Sequence, residues 1–198
     1  MINILTNTYY IFPLPVKPGQ IVELDMGCGK GKMALELAAR YPDRLILASD
    51  VMMGRLGHVE RAAARQELYN IIILRAASLE LTSFQLPPAS VDRIHLLCPD
   101  PWPKKRHTGR RVICTDFLCR LSRILKPGGI LHLSTDYAPY FEDWKNVLAT
   151  IPFFEEASDA LKDVADIKTD FELHWLKKGI PVRHMAWRYG TMKSKDTK

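Results

Sequence analysis

The sequence predicts an α/β protein built on a mostly parallel central sheet with helices on both faces. Three observations carry that expectation. Short apolar runs alternate with segments of helical periodicity, a glycine-rich stretch follows the first of those runs, and an acidic residue closes the second. A βαβ rhythm of this kind makes right-handed crossovers nearly obligatory. It also puts ligands beyond the carboxyl ends of the strands.

The elements follow in order. Residues 21–24 form an apolar strand that runs into the glycine stretch. Residues 32–40 place Met33 and Leu37, and Ala34 and Ala38, at helical spacing and stop at Tyr41-Pro42. Residues 45–48 are a second strand, 52–68 a long helix rich in Ala, Arg and Glu, and 71–74 a third strand. A fourth strand, 91–98, follows the Pro87-Pro88 break. Residues 112–125 are helical and end at Lys126-Pro127-Gly128-Gly129, a stop followed by a turn. Residues 130–134 make a fifth strand and 137–150 a further helix. After a polar stretch, 155–168, the segment from Thr169 onward turns aromatic, and Trp187 and Tyr189 belong to a final strand.

The 198 residues suit one domain, 1–198, with a short N-terminal arm at 1–19 and a polar tail at 191–198. Hydrophobic residues make up 47% and charged residues 25%, a globular mix that excludes wholesale disorder. No apolar run approaches the roughly 20 residues that span a bilayer, so no membrane partner is expected. Residues 1–20 carry one cation, Lys17, and prolines break the apolar stretch 9–16, which argues against a secretory signal. The expected compartment is the cytosol. Cys28, Cys98, Cys114 and Cys119 form no CxxC pair, and the six histidines show no HxxxH or HxxH spacing, so no metal is expected. No sequence feature selects monomer over homodimer. His95 and His132 fall inside strands and read as core or edge histidines.

The first strand leads into Glu23-Leu24-Asp25-Met26-Gly27-Cys28-Gly29-Lys30-Gly31, and Asp50 stands nineteen residues after Gly31. Glycines let the backbone turn sharply and approach a ligand, and an acid at the end of the second strand can accept hydrogen bonds from ribose hydroxyls. A dinucleotide site wants GxGxxG, whereas position 32 here is Lys. Carboxylates at Glu23 and Asp25 repel a pyrophosphate and suit a cofactor carrying an ammonium and a sulfonium. That favours S-adenosylmethionine over NAD. A tight strand-to-helix turn without a ligand is the third reading.

The net charge is +6, and part of the excess is concentrated: Lys104, Lys105, Arg106, Arg110 and Arg111 fall within eight residues. Such a cluster is an electrostatic footprint for phosphates, or a solvated loop. It follows Cys98-Pro99-Asp100-Pro101-Trp102, in which two prolines lock the backbone around Asp100. A rigid acid, an aromatic ring and five cations in twelve residues read as nucleotide handling; the plainer reading is a proline-stiffened surface loop.

Three stretches taken together resemble one known family. They are Pro99-Asp100-Pro101-Trp102 with the cations behind it, Ser134-Thr135-Asp136-Tyr137, and Thr169-Asp170-Phe171-Glu172 with Trp175 and Gly179. Their order and types resemble the Rossmann-like class I methyltransferases that modify N7 of guanine in tRNA. The resemblance implies a fold, S-adenosylmethionine as cofactor, tRNA as partner and a variable-loop guanine as target. It implies cofactor contacts from Glu23, Gly27, Gly29, Asp50, Val51, Ala77, Ser78 and Asp100. Asp100 is implied as the catalytic acidic residue, lying between cofactor and substrate. Lys104, Asp136, Thr169, Asp170, Phe171 and Glu172 are implied as substrate contacts, and Arg106, His107, Arg110 and Arg111 as the RNA grip. Asp136 and Glu172 are expected to accept hydrogen bonds from the guanine N1–H and N2 amine.

The chain departs from the family pattern at several places. Asp25 is set where many members have Gly, Asp50 is one methylene shorter than the usual Glu, and Ala77 replaces an acidic or amide side chain. Pro103 stands where bacterial relatives often have His. Two other functions are compatible with parts of the sequence. A small-molecule methyltransferase leaves the cluster at 104–111 unexplained, and a non-catalytic RNA-binding relative would have a decayed cofactor pocket.

Overall fold

Among the described residues, eight strands form one sheet in the order β1-β4-β3-β2-β5-β6-β8-β7. They are β1 (Ile2–Ile4), β2 (Val22–Met26), β3 (Leu45–Asp50), β4 (Ile71–Arg75), β5 (Val91–Leu97), β6 (Leu125–Thr135), β7 (Phe154–Glu156) and β8 (Arg183–Tyr189). The computed structural model describes residues 1–6, 10–102, 106 and 113–190. The first six strands are mutually parallel, whereas β8 runs antiparallel to both β6 and β7. Strand order reverses at β2, which pairs β3 on one side and β5 on the other. At such a switch point the chain leaves in opposite directions and opens a crevice at the carboxyl ends of the two strands.

The helices are α1 (Lys32–Arg40), α2 (Met53–Arg65), a single turn α3 (Ser78–Glu80) that widens into a π turn over Leu81–Gln85, α4 (Thr115–Ile124), α5 (Ala138–Ala149) and α6 (Asp170–Leu176). Apolar spacing explains which face each one buries. In α4, Phe117, Leu118, Leu121 and Ile124 repeat at helical period and are buried with Leu24, Ile94, Leu131, Leu133 and the α5 residues Tyr140 and Trp144. Each such side chain contributes about 1.5–3 kcal/mol on burial. On the opposite face, α1 and α2 supply Met33, Leu37, Leu56 and Val59 to a second core with Ile46, Ala48 and Ile73.

That opposite face is apolar over only half its width. The even-numbered residues of β2 point into the first core, so Glu23 and Asp25 point the other way; Arg93 and His95 of β5, His132 of β6 and His184 of β8 continue the row. The chain from residue 157 to α6 lies over this polar half. Asp163 accepts from both Arg93 (3.0 Å) and Arg44 (3.4 Å), and Val164 and Ile167 close the second core.

Several boundaries differ from the sequence reading. β1, placed above in the N-terminal arm, pairs in parallel with β4 and forms the sheet edge. Strand β6 starts at Leu125; between the pairs Val91↔Leu125 and Arg93↔Ile130 the Lys126–Gly129 turn loops out of register, so the turn interrupts the strand instead of preceding it. No helix among the described residues is long and apolar enough to cross a membrane.

Gly31 joins β2 to α1 under two constraints. Its φ is +78°, and a Cβ there would lie 2.5 Å from Val59 Cγ2 of α2. Gly31→Ala should therefore cost about 2 kcal/mol or more in denaturant unfolding. Adding Val59→Ala should give a double variant less destabilised than the two single losses summed, because the clash is relieved while the backbone strain remains.

Candidate active site

The loop after β2 turns through Gly27 (φ +72°), Gly29 (+57°) and Gly31 (+78°), a left-handed run that other residues enter only with strain. The end of β3 ties it down. Ser49 C=O accepts the N–H groups of Gly27 (2.8 Å) and Cys28 (2.9 Å), and Asp50 Oδ2 accepts that of Gly29 (3.1 Å). Asp50 Oδ1 accepts the Met52 N–H at 2.8 Å, and Arg55 approaches Oδ2 at 3.5 Å. The carboxylate that closes β3 is thus held by backbone at two points and faces the crevice.

Two cavities meet there. The first, about 310 Å³, is lined by Met26, Gly27, Asp50, Val51, Ala76 and Ser78 and reaches Asp100 and Trp102. The second, about 420 Å³, is lined by Asp25, Gly27, Gly29, Asp100 and Thr169–Phe171, with Lys30 and Lys32 at its rim. Both fall within the size range of small-ligand sites. Ala77 lines neither. It lines a neighbouring cavity of about 280 Å³ with Leu5, Thr6, Glu80 and Gln85, which shares Val51 and Ala76 with the first.

The acid of the glycine loop that reaches the crevice is Asp25. Glu23, expected at the cofactor, is fully buried within the sheet. One of its oxygens pairs with Arg44, the other with His95 Nε2 at 2.8 Å and Arg93 at 3.8 Å. Burial alone would raise its pKa, but the His95 hydrogen bond and the charges around it hold it at about 2. Glu23 and Asp25 share a face; Asp25 lies two residues nearer the carboxyl end of the strand. Depth along β2, not side-chain type, decides which one meets a ligand. Asp25 Oδ2 accepts the Ala34 N–H in the first turn of α1 at 3.2 Å. Burial pushes its pKa up to about 7, the Ala34 bond opposes the rise, and the charge of Asp50 adds to it.

Asp100 stands on the wall common to both cavities. β5 ends at Leu97, Cys98 donates its N–H to Ser134 C=O at 2.8 Å, and the chain then turns through Pro99 and Pro101. Cys98 (φ +48°) and Trp102 (φ +40°) take left-handed conformations without being glycine. Strain of this kind costs about 1–3 kcal/mol per residue and gathers where a loop must present a side chain. The neighbouring thiols are both held toward the protonated form. Burial raises Cys98 to about 11, and burial with the charges of Asp25 and Asp50 pushes Cys28 well above the ordinary thiol range.

Thr169, Asp170 and Phe171 line the second cavity, but Glu172 does not. Thr169 caps α6, its Oγ1 accepting the Glu172 N–H at 3.1 Å, and the helical turn that exposes Phe171 carries Glu172 inward. There it is 3% exposed and bonded to Lys168 (2.9 Å) and His184 (3.2 Å). Glu172, expected as a substrate contact, thus lies beneath Thr169–Phe171 and off the cavity wall in this structure. Asp136 follows β6 beside Cys98, half-buried, and lines neither cavity. Arg106 is exposed; Lys104, His107, Arg110 and Arg111 lie outside the described residues.

A family model described as a putative methyltransferase matches residues 19–185. The chain is 34% identical over 166 residues to the tRNA (guanine-N(7)-)-methyltransferase of Polaromonas sp. (strain JS666), covering 83% of this chain and 68% of the relative. It is 36% identical over 169 residues to that of Halorhodospira halophila, covering 83% and 73%. A Streptomyces coelicolor relative of the same name is 40% identical over 134 residues, and this chain spans 49% of its length. Among solved structures, the 16S rRNA methyltransferase KamB superposes with a TM-score of 0.63 at 18% identity over 87% of this chain and 89% of that one, a likeness of fold. TrmN from Thermus thermophilus gives 0.61 at 25% identity over 85% of this chain and 44% of that one. The match takes in both acids of the crevice, the Asp100 loop and α6, so that the chain belongs to the tRNA (guanine-N(7)-)-methyltransferase family.

Proposed function

We infer that the protein transfers the methyl group of S-adenosylmethionine to N7 of a guanine in tRNA. The observation that carries this reading is the place of Asp100, where a cavity of about 310 Å³ and a second cavity edged by lysines share lining residues.

The residues present fit the cofactor. A Cβ at Gly27 or Gly29 would meet no heavy atom within 4 Å, so the loop leaves open space where a ligand can approach the backbone. Asp50 and Val51, with Ala76 and Ser78, would hold the nucleoside, and Asp25 with the glycine loop the amino-acid end. The bound cofactor supplies an electrophilic methyl on a sulfonium.

Guanine N7 carries an in-plane lone pair and no proton at neutral pH, so the chain needs no general base. Its task is placement, with the nitrogen held in line with the methyl group. The product ring is cationic, and a fixed carboxylate beside it stabilises the charge as it develops. Asp100 is the residue we assign to that role. Thr169–Phe171 form the wall against which the base rests, and Trp102 closes the first cavity. We place the RNA on the segment from Lys104 to Arg111, whose cations would meet phosphates once the base has left its stack. The variable-loop guanine is the base the family resemblance implies, and a tRNA substrate sets the work in the cytosol.

Incubation with labelled S-adenosylmethionine and bulk tRNA should yield 7-methylguanosine on nucleoside mass spectrometry, and calorimetry should show cofactor heat. Absence of that heat would return the chain to the class of RNA binders with a decayed pocket. Asp100→Ala should lower kcat by about a hundredfold or more. A near-wild-type rate would remove Asp100 from the chemistry.

Asp25 gives a pH test. Its carboxyl group is protonated below about 7 in the ligand-free protein, and a cationic ligand needs it ionised. Affinity for S-adenosylmethionine should thus fall by up to about tenfold per pH unit below 7 and level off above it; Asp25→Asn should flatten the curve. For folding the sign is opposite. The native state binds the extra proton, so stability drops as pH rises from the ordinary carboxylate range through about 7, and Asp25→Asn should raise Tm at pH 8.

Replacing Arg106, Arg110 and Arg111 with Ala should weaken tRNA binding and reduce the slope of log K against log salt by roughly 2–3, with cofactor affinity unchanged. An unchanged slope would place the RNA on another surface.

A further inference from the structure

Four hydrogen bonds cross the polar half of the sheet in single file. Glu23 Oε2 meets His95 Nε2 at 2.8 Å, and His95 Nδ1 meets His132 Nδ1 at 2.9 Å. His132 Nε2 meets His184 Nδ1 at 2.9 Å, and His184 Nε2 meets Glu172 Oε1 at 3.2 Å. The chain thus steps from β2 to β5, β6, β8 and α6, joining the strand of the glycine loop to the helix that walls the second cavity. The rings pair one to one and do not converge on a point; no group of three potential ligands among the described residues could hold a metal ion.

Proton counting gives the chain its character. Each hydrogen bond needs one proton. Three neutral imidazoles carry three, and the carboxylates at both ends carry none to donate. Four bonds therefore require a fourth proton. Whichever ring takes it, His95 and His184 must donate from Nε2 to the flanking carboxylates. The site of the extra charge follows from the surroundings. His95 faces Glu23, but Arg93 and Arg44 also sit against that carboxylate, and Asp163 bridges the two arginines. Among the described residues, the His132 ring bonds only to the histidines on either side. His184 is 24% exposed and lies directly on Glu172, which Lys168 approaches from α6's own entry. Burial, and repulsion from His95, His184, Arg93 and Lys168, push His132 well below the ordinary histidine value. Burial lowers His95 as well, against the pull of Glu23. The imidazolium belongs to His184, with His132 donating from Nδ1.

We propose that His132 and His184 are positioning residues: with His95 they hold one proton beyond three neutral imidazoles, and that proton pins Glu172 and with it the Thr169–Phe171 wall of the second cavity. Loss of the proton sets two lone pairs against each other at one link, and the outermost link, His184 to Glu172, is the one free to open. The functional half of this proposal rests on the reading of that cavity as the base-binding side.

Histidine ¹⁵N NMR of the full chain tests the proton count directly. At neutral pH the three rings should show four N–H protons, with His184 doubly protonated and His95 in the Nε2–H form. Three protons would overturn the chain whatever the enzyme does. Kinetics test the consequence. As pH rises above 7, where Asp25 is already ionised, KM for tRNA should increase in the wild type by about tenfold, the size of one lost charge-assisted hydrogen bond, with kcat and cofactor affinity nearly constant. His184→Gln can donate one amide N–H to Glu172 and the other to His132 Nε2 but has no proton to lose, so its KM should be flat over the same range. A His184→Gln profile that follows the wild type would overturn the positioning role. His132→Phe cuts two links and should raise KM at every pH; should it not fold, His184→Gln decides alone. A wild type that methylates no tRNA would refute the functional reading while leaving the proton count to stand or fall by NMR.

Discussion

The left-handed turn between β2 and α1 is the constraint on which the crevice depends. Three glycines at positive φ bring the backbone back over the end of β3, where Ser49 C=O and the Asp50 carboxylate take its N–H groups. The turn packs so tightly on α2 that a Cβ at Gly31 would strike Val59. With the loop fixed, Asp25 is trapped beneath α1 and Asp50 beside the first cavity. Burial, with the charge of Asp50 added to it, raises the deeper carboxyl group, Asp25, to about 7. A site that concentrates negative charge out of water is costly to fold and is repaid when a cation enters it.

The second organising feature is the polar half-face. A parallel sheet covered on both sides is ordinarily apolar throughout. Here Glu23, Arg93, His95, His132 and His184 form a continuous row, met by Arg44, Asp163, Lys168 and Glu172 from the elements above. Directional bonds join the apolar contacts of Val164 and Ile167 in docking the chain between β7 and α6. Such docking fixes orientation more sharply than area burial does, because each bond has a geometry and a proton count. The loop after β5 and the start of α6 thereby line one cavity, although about seventy residues of chain separate Asp100 from Asp170.

Much of the architecture was legible along the chain. Helix α1 occurs over the residues its periodicity predicts, 32–40, because five of its nine side chains are buried at helical spacing against a flat sheet. The strands at 71 and 91 begin where their apolar runs begin. The three-residue strand β1 was not legible: Ile2, Asn3 and Ile4 show no period, and only pairing with Ile73–Arg75 makes them a strand. Nor was the short α6, whose Thr169–Glu172 cap is a local signal but whose burial comes from β8. The antiparallel entry of β8 beside β6 is likewise a tertiary event.

For the site, the amino-acid order by itself determined the chemistry: a glycine turn, carboxylates suited to a cationic cofactor, a proline-locked acid and a run of cations. Those are properties of residue type and spacing, which local sterics and charge express without help from the fold. Tertiary structure alone decided which carboxylate does what. Glu23 and Asp25 are the same kind of group on the same face, and only their depth in the sheet sends one to Arg44 and His95 and the other to the crevice. Glu172 and Phe171 are adjacent, and only the phase of α6 against β8 buries one and exposes the other. The histidines stand 37 and 52 residues apart, and only strand register makes them a chain.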